Sequence, residues 1–227
     1  PSSGLISNPV SIGMRAFIGT EETLIGGGAV EEEGSIRGFL HCPLMAVITY
    51  RGRRVVAQAL LPLAPRESLQ YGSSDGGHKV HGPEAPELYN LMELAGKRLN
   101  LLPHKAGDSR TLVFTAVDVE AHKGLDGRYY VLDTARAMPP EYYAERHPHA
   151  NGQVFFNLLR PEFVQRWPTP LNPDALTVFN QPGTIDEKQR HNEALLDATV
   201  TLWTREVPAL ARDIHEQRVV LHSGADL

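Results

Sequence analysis

Short apolar runs that suit paired strands dominate the first half of the chain. Residues 44–50 are apolar, Arg51-Gly52 can turn the backbone, and residues 54–61 are again rich in valine and leucine. Runs of this composition bounded by turn residues are typical of a β-hairpin. The pattern predicts a hairpin at the centre of a sheet.

A glycine-rich loop and an amphipathic helix come next. Residues 71–77 read Tyr-Gly-Ser-Ser-Asp-Gly-Gly and consist of turn-forming types. Pro86 then opens a helical pattern, because proline suits the first turn of a helix. Its apolar positions recur at steps of three and four: Leu88, Leu91, Met92, Ala95 and Leu99. We expect one face of this helix to be buried.

A second pair of strands is predicted after this helix. Residues 111–120 are rich in strand-forming types. Asp126-Gly127 is a strong signal for a two-residue hairpin turn, and it leads into the apolar run at residues 129–132. Asp133 would then stand where the last strand leaves the core.

Helical patterns replace strand patterns in the rest of the chain. Three stretches look helical: 155–159, 163–167 and 186–214. Asp186 and Gln189 form a candidate capping pair for the last helix, and Pro208 should kink that helix or split it in two. Strands first and helices last predict an α+β fold: an antiparallel sheet portion built from hairpins with one packed helix, followed by a mostly helical portion.

The same pattern suggests the domain boundaries. Residues 1–43 carry a glycine triplet and an acidic run, and we expect an irregular segment there. Residues 44–222 should form one domain, with a sheet-rich part over about 44–140 and a helical part over about 141–218. The chain begins at Pro1 rather than methionine, so we expect a processed product or a piece of a longer protein.

Composition narrows the functional classes. The chain has 227 residues, 41% of them apolar, and a formal net charge of −5. A negative chain has no global attraction for nucleic acid, so we expect no DNA partner, and any RNA contact would need a local basic patch. The apolar stretches are far shorter than the roughly 20 residues that span a bilayer, so we expect no membrane insertion.

Cysteine and histidine usage points to a chain without metal or disulfide. Cys42 is the only cysteine, which excludes an internal disulfide and fits a reducing, cytoplasmic location. Two close histidine pairs, His78 with His81 and His147 with His149, lack the further ligands that zinc requires. We therefore predict no metal and no cofactor.

Asp133 is the residue in this sequence most suited to a chemical role. A carboxylate at the end of a strand can bind a metal ion or accept a proton. It can equally pair with Arg136 or Arg128, or cap a turn through backbone amides. The structural alternatives are favoured over a catalytic role, because one sequence gives weak support for a site.

The order of elements also allows a kinase-like interpretation. Val55-Val56-Ala57 would take the place of the lysine strand, the helix around Glu93 the regulatory helix, and Asp133 the metal-binding aspartate. However, Gln58 stands where the phosphate-pairing lysine should follow, and the chain has no His-Arg-Asp triplet. A divergent nucleotide-binding or phosphotransfer domain therefore stays an alternative, and enzymatic activity is not expected.

A local RNA-binding patch is a further possibility. The first hairpin turn carries three arginines, Arg51, Arg53 and Arg54, and tyrosines elsewhere could stack on unpaired bases: Tyr129, Tyr130, Tyr142 and Tyr143. Solvated turn arginines explain the same pattern. Composition alone gives RNA binding little support.

Five ordered motifs resemble the CLU domain of the clustered-mitochondria family. They are Tyr-Arg-Gly-Arg-Arg-Val-Val-Ala-Gln-Ala-Leu-Leu-Pro at 50–62, Tyr-Gly-Ser-Ser-Asp-Gly-Gly at 71–77, the stretch from Leu99 to His104, the long stretch from Lys123 to Glu141, and Leu-Leu-Arg-Pro-Glu-Phe-Val at 158–164. No single motif is decisive. Five in order over most of residues 50–164 are hard to obtain by chance.

The resemblance implies a role in binding rather than catalysis. Members of this family are large cytosolic proteins in which this domain precedes helical repeats, with roles in mitochondrial distribution and biogenesis and binding of messenger RNA. The family has no established catalytic residues to transfer. We expect protein partners, with mRNA possible through the full-length protein, and nominate nine binding residues: Tyr71, Gly72, Ser73, Asp75, His104, Asp126, Arg128, Asp133 and Arg136.

Overall fold

A computed structural model describes residues 40–64, 68–142, 157–177 and 182–216. Several sequence predictions lie outside these residues: most of the irregular segment 1–43, the pair His147 and His149, and the first part of the helix at 155–159.

A four-stranded sheet forms the centre of the molecule. Its strands are β1 (Leu40–His41), β4 (Leu69–Tyr71), β7 (Glu120–Lys123) and β8 (Tyr129–Leu132). Their spatial order in the sheet is β1-β8-β7-β4. β7 and β8 pair antiparallel, which confirms the hairpin predicted from Asp126-Gly127. β1 pairs parallel with β8, so the first described residues already belong to the sheet.

The amphipathic helix is confirmed as α1 (Pro86–Arg98). Its buried residues Leu88, Met92 and Ala95 lie on one face, as the spacing predicts. Tyr129 of β8 donates a hydrogen bond from its hydroxyl to the Glu87 carboxylate at 2.7 Å, which ties the start of the helix to the sheet.

The strand predicted over residues 111–120 is wrong as one continuous element. Only β6 (Thr111–Val113) forms, paired with β5 (His104–Ala106). The chain then leaves the ladder until β7, because side chains supply the partners that a strand would offer. The Tyr71 hydroxyl accepts from the amide of Phe114 at 2.8 Å, and a carboxylate of Asp174 accepts from the amide of Val117 at 2.8 Å.

The first hairpin is confirmed, but its predicted place at the centre of a sheet is wrong. β2 (Met45–Tyr50) and β3 (Arg53–Gln58) pair only with each other, joined by Arg51 and Gly52 at positive φ. Every residue of both strands except Met45 is exposed. An apolar run predicts a strand, but it carries no information about which element covers it. We call residues 45–58 the ribbon.

The helical portion contains α2 (Pro161–Arg166), α3 (Ile185–Thr201) and α4 (Val207–His215). A π-type segment (Leu202–Glu206) separates α3 from α4, so the split predicted from Pro208 occurs. The predicted cap is wrong by two positions: Thr184 and Glu187 form the capping box of α3. Residues 157–159 are not helical; Leu158 instead pairs with Pro140.

These elements confirm the α+β fold class. One buried core runs from the sheet through α1 into α2 and α3, with these members among others: Tyr71, Leu88, Met92, Val131, Val164 and Leu195. In the part of the chain that the structure describes, no helix is both long and apolar enough to cross a membrane. Nor do the described side chains include a group of three or more metal-ligating residues placed to hold an ion.

Candidate functional site

The loop at residues 71–77 is held together by its own hydrogen bonds. Tyr71 is fully buried, and burial raises the pKa of its hydroxyl to about 12. Gly72 has a φ of 87°, and a Cβ atom at this position would collide with the carbonyl oxygen of Val119. Ser73 donates from its hydroxyl to the Asp75 carboxylate at 2.8 Å. These nominated residues shape the loop, and a direct contact with a partner would have to come from its exposed atoms.

Asp75 caps the far side of the same loop. Its carboxylate accepts from the backbone amides of His78 and Lys79, each at 3.0 Å. The hydrogen bond from Ser73, followed by those amides, lowers the pKa of Asp75. The side chain is therefore an anion whose acceptor sites are largely used inside the loop.

His104 and Arg136 meet at a buried carboxylate that the sequence did not single out. Asp174 is fully buried; its Oδ2 lies 2.8 Å from His104 Nε2, and its Oδ1 accepts from Arg136. Arg136 also donates to both carboxylate oxygens of Asp118, at 2.9 and 2.6 Å. We call these four side chains the buried charge cluster. It joins β5, the segment that follows β8 and the segment that precedes α3.

Opposing effects set the proton affinities in this cluster. Burial acts to raise the pKa of Asp174, but the hydrogen bond from His104 and the charge of Arg136 hold it below its usual value. Asp118 shows the reverse: burial raises its pKa, and the nearby Arg136 does not offset this fully. Asp174 was missed because it lies in a proline-punctuated connection. Its one sequence signal is an acid between Pro173 and the apolar Ala175-Leu176.

Asp126 and Arg128 lie together at the exposed turn of the β7–β8 hairpin. Asp126 accepts from the Arg128 amide at 3.2 Å and from the Tyr130 hydroxyl at 2.7 Å. The Tyr130 hydrogen bond lowers the pKa of Asp126. This turn is distant in sequence from the loop at 71–77. The hydrogen bonds of Asp126 and Arg128 stabilise the turn itself.

Asp133 opens onto a cleft at the base of the ribbon. The cleft has a volume of about 280 Å³ and is lined by Pro43, Met45, Gln58, Val131, Leu132, Asp133, Thr134 and Ala135. Asp133 adopts a left-handed backbone with φ 49°, and its side chain is exposed. Although Asp133 is exposed on its cleft side, the protein partly desolvates its carboxylate, and this desolvation, followed by the charge of Glu120, raises its pKa. Of the two arginines considered as partners for Asp133, Arg136 pairs with Asp118 and Asp174, and Arg128 lies near Asp126.

The ribbon itself exposes apolar side chains on both faces. Val47 faces Val56 across the strands, and Ile48 faces Val55; all four are about half exposed, between 47% and 57%. Because successive side chains of a strand alternate, these two pairs lie on opposite faces. At the tip, the guanidinium of Arg51 stacks over the Tyr50 ring at 5.2 Å.

The region that holds these features is similar to a known protein family. The family profile described as "Clustered mitochondria" matches residues 24–143, just over half of the chain. The chain belongs to the clustered-mitochondria family. The matched residues include the ribbon, the loop at 71–77 and the cleft. Asp174 and the helices α2 to α4 lie beyond the match.

Individual relatives agree with the family match. A Clustered mitochondria protein homolog of Caenorhabditis briggsae is 40% identical over 109 residues, which is 44% of this chain and 8% of that relative. Protein clueless of Drosophila mojavensis is 40% identical over 102 residues, 42% of this chain and 7% of that relative. The chain thus spans less than a tenth of the curated relatives it matches. No solved structure matches the chain.

Proposed function

We propose that the chain is a non-catalytic binding module of a larger cytosolic protein, acting in mitochondrial distribution or biogenesis through contacts with protein partners. The observation that carries this proposal is the ribbon. Two strands alone are marginally stable in water, and this pair also leaves valine and isoleucine exposed on both faces. Exposed apolar patches of this kind mark interaction surfaces.

The cleft beside the ribbon extends the proposed surface. Asp133 is the ionisable side chain among the described residues that line it, within mostly apolar walls. A lone carboxylate beside apolar walls suits a cationic side chain with an aliphatic stem, such as lysine or arginine. We therefore infer that a partner strand or loop lies along the ribbon and places a basic residue against Asp133.

Matched substitutions test this function. Ile48→Asp alters an exposed residue of the ribbon, and Leu125→Asp makes the same change at the exposed β7–β8 turn. Neither side chain is buried, so both variants should fold with unchanged thermal midpoints. In quantitative affinity capture from cell extract, we expect Ile48→Asp to lose partner proteins that the wild type and Leu125→Asp both retain. Equal partner recovery by all three proteins would refute the ribbon as the binding surface.

RNA contact is a second candidate, favoured by the ribbon tip. Arg51, Arg53 and Arg54 are all exposed there beside Tyr50, which is 63% exposed. Cations next to an exposed aromatic ring suit unpaired bases and phosphates. Filter binding of single-stranded RNA to the wild type and to Arg53→Glu at two salt concentrations decides this. We expect affinity that falls with salt and is weakened by the substitution; salt-independent or equal binding would exclude it.

The nucleotide-binding alternative rests on the shared cleft. Gln58 and Asp133 do line the same cavity, as the kinase-like interpretation requires. However, β3 contains no lysine that could pair with Glu93, and Glu93 of α1 instead pairs with Lys97 of its own helix at 2.6 Å. A magnesium–nucleotide titration followed by thermal shift tests this alternative. A rise in the melting midpoint would support it, and we expect a flat response.

A further inference from the structure

His191 of α3 contacts a neutral amide side chain in the segment that precedes this helix. Its ring nitrogen Nδ1 lies 3.0 Å from Nδ2 of Asn172. Asn172 is 2% exposed, and His191 is partly buried. Because water has little access to this contact, two groups that both donate or both accept would be costly there.

A second hydrogen bond fixes the orientation of Asn172. The backbone amide of Asp174 donates to Oδ1 of Asn172 at 2.8 Å. Because a backbone amide can only donate, the atom that it contacts must be the side-chain oxygen, and the atom that faces His191 must be the side-chain nitrogen. That nitrogen also can only donate. Nδ1 of His191 must therefore accept, which requires that it carry no proton.

Protonation of His191 would place two donors against each other. The imidazolium form carries a proton on both ring nitrogens, so Nδ1 would direct its proton at the NH₂ group of Asn172. A half-turn of the Asn172 amide would present the oxygen to the ring, but it would then place the nitrogen against the amide of Asp174. The contact therefore suits the neutral ring.

The surroundings of His191 also favour the neutral ring. Burial lowers its pKa first, and the charge of His104 on β5, a member of the buried charge cluster, lowers it further. On α3 itself, Arg190 acts in the same direction and Glu187 opposes it. The carboxylates of the buried charge cluster are engaged by basic side chains of that cluster.

The first half of α3 has little else to hold it. Residues 185–190 are all exposed, and no residue of α3 before Leu195 is buried. The second half is anchored by Leu195, Ala198 and Thr199. A segment with few buried contacts opens at a low cost in free energy. A change at His191 can therefore release the first half while the core stays folded.

We propose that His191 and Asn172 form a pH-sensitive latch that holds the first half of α3 against the body and releases it when the histidine is protonated. The latch is a regulatory device of this chain alone. It is separate from the ribbon and requires no partner.

The direction and the size of the effect follow from proton linkage. Because the folded pKa of His191 lies below the unfolded value of about 6.5, the latch stabilises the docked helix above that pH and loses this effect as the pH falls toward the folded value. With an unfolded pKa of about 6.5, one histidine can shift the docking equilibrium by at most about tenfold between about pH 7.5 and about pH 5.5.

Nuclear magnetic resonance of the ring nitrogens tests the proton assignment on the whole chain. At about pH 7.5 we expect His191 to carry its proton on Nε2 and none on Nδ1. We also expect the ring to titrate with a midpoint below about 6.5. A proton on Nδ1 at about pH 7.5, or a midpoint above about 6.5, would overturn the proposal.

Amide hydrogen exchange measures the release of the helix. Protection is the intrinsic exchange rate divided by the observed rate, and α1 serves as the internal reference. From about pH 7.5 to about pH 5.5, we expect the protection of residues 189–194 to fall by about threefold to tenfold relative to α1. An unchanged ratio, whether both helices keep their protection or both lose it, would contradict the latch.

Two substitutions separate the latch from other groups that titrate over the same range. His191→Gln keeps an acceptor that cannot take up a proton, so the protection ratio should change by less than about twofold. Asn172→Asp keeps the oxygen that Asp174 requires and turns a second carboxylate oxygen toward the ring, which favours the imidazolium. In this variant the ratio should rise as the pH falls.

The comparison of His191→Gln with the wild type is decisive by itself, because Asn172 is buried and its replacement can impair folding. A fall in the protection ratio of His191→Gln as large as that of the wild type would assign the pH dependence to another group and overturn the proposal. The ribbon and its partner would be unaffected by that result.

Discussion

Asp174 joins three distant parts of the chain through one carboxylate. It accepts from Val117, from Arg136 and from the ring of His104, and its own amide donates to Asn172 at 2.8 Å. A fully buried anion is tolerated only when its lone pairs are used in this way. The chain leaves the ladder here because the amides of Phe114, Thr115 and Val117 find side-chain acceptors.

The buried charge cluster should be sensitive to loss of one member. Asp174→Ala leaves Arg136 and His104 without their shared acceptor, and we expect it to lower the free energy of unfolding by about 3–5 kcal/mol. Asp118→Ala removes a more exposed carboxylate whose hydrogen-bond donor among the described residues is Arg136, so we expect a smaller loss. Urea denaturation of both variants measures the difference. Equal losses would contradict the central place of Asp174.

The pKa of Asp174 also predicts how stability depends on pH. Because the folded value lies below the unfolded value of about 3.9, this residue adds stability above that pH and loses it as the pH falls toward the folded value. Asp118, with a raised pKa, acts in the opposite direction. We therefore expect the wild type to lose stability more steeply below about pH 4 than Asp174→Asn does. Parallel pH profiles from urea unfolding would contradict this.

Alanine substitutions at Gly72 and Gly76 distinguish the cost of a steric clash from the cost of backbone strain. Both have positive φ, 87° and 76°, but a Cβ at Gly72 would strike Val119 while Gly76 faces open space. We expect Gly76→Ala to lower the free energy of unfolding by about 1–2 kcal/mol from backbone strain alone. Gly72→Ala should lower it by about 3 kcal/mol or more. Thermal or urea unfolding of the pair checks this, and similar losses would contradict the close approach.

Among the elements, the sequence predicted those whose partners are local. The β7–β8 turn is set by Asp126-Gly127, and α1 is set by its own spacing from Leu88 to Leu99. The continuous strand predicted over residues 111–120 was wrong because the hydrogen-bond partners of this segment, Tyr71 and Asp174, are distant in sequence. The same limit applies to the candidate site. His104, Arg136 and Asp133 could be nominated one by one, but their partners could not.

Adjacent leucines of α3 test which face of that helix packs on the body. Leu195 is fully buried, and Leu196 is 40% exposed. Leu195→Ala should lower the free energy of unfolding by about 2–5 kcal/mol, through lost burial and a cavity. Leu196→Ala should change it by less than about 1 kcal/mol. Urea unfolding gives both values, and a larger loss for Leu196→Ala would place the wrong face against the core.

At the scale of the whole molecule, the order of strands and helices was enough to predict an α+β fold. The exposure of the ribbon was not predictable, because its valines and isoleucine read like those of a buried strand. We propose that a partner covers these exposed apolar residues. The domain limits 1–43 and 44–222 stay predictions, as does the cytoplasmic location.

Site-specific photocrosslinking from the ribbon tests the central claim most directly. A photoreactive amino acid replaces Ile48 in one protein and Leu125 in a second, and both are irradiated in cells in the full-length protein. We expect position 48 to give discrete protein adducts that position 125 does not give. Identical adducts from the two positions, or none from position 48, would contradict a binding role for the ribbon.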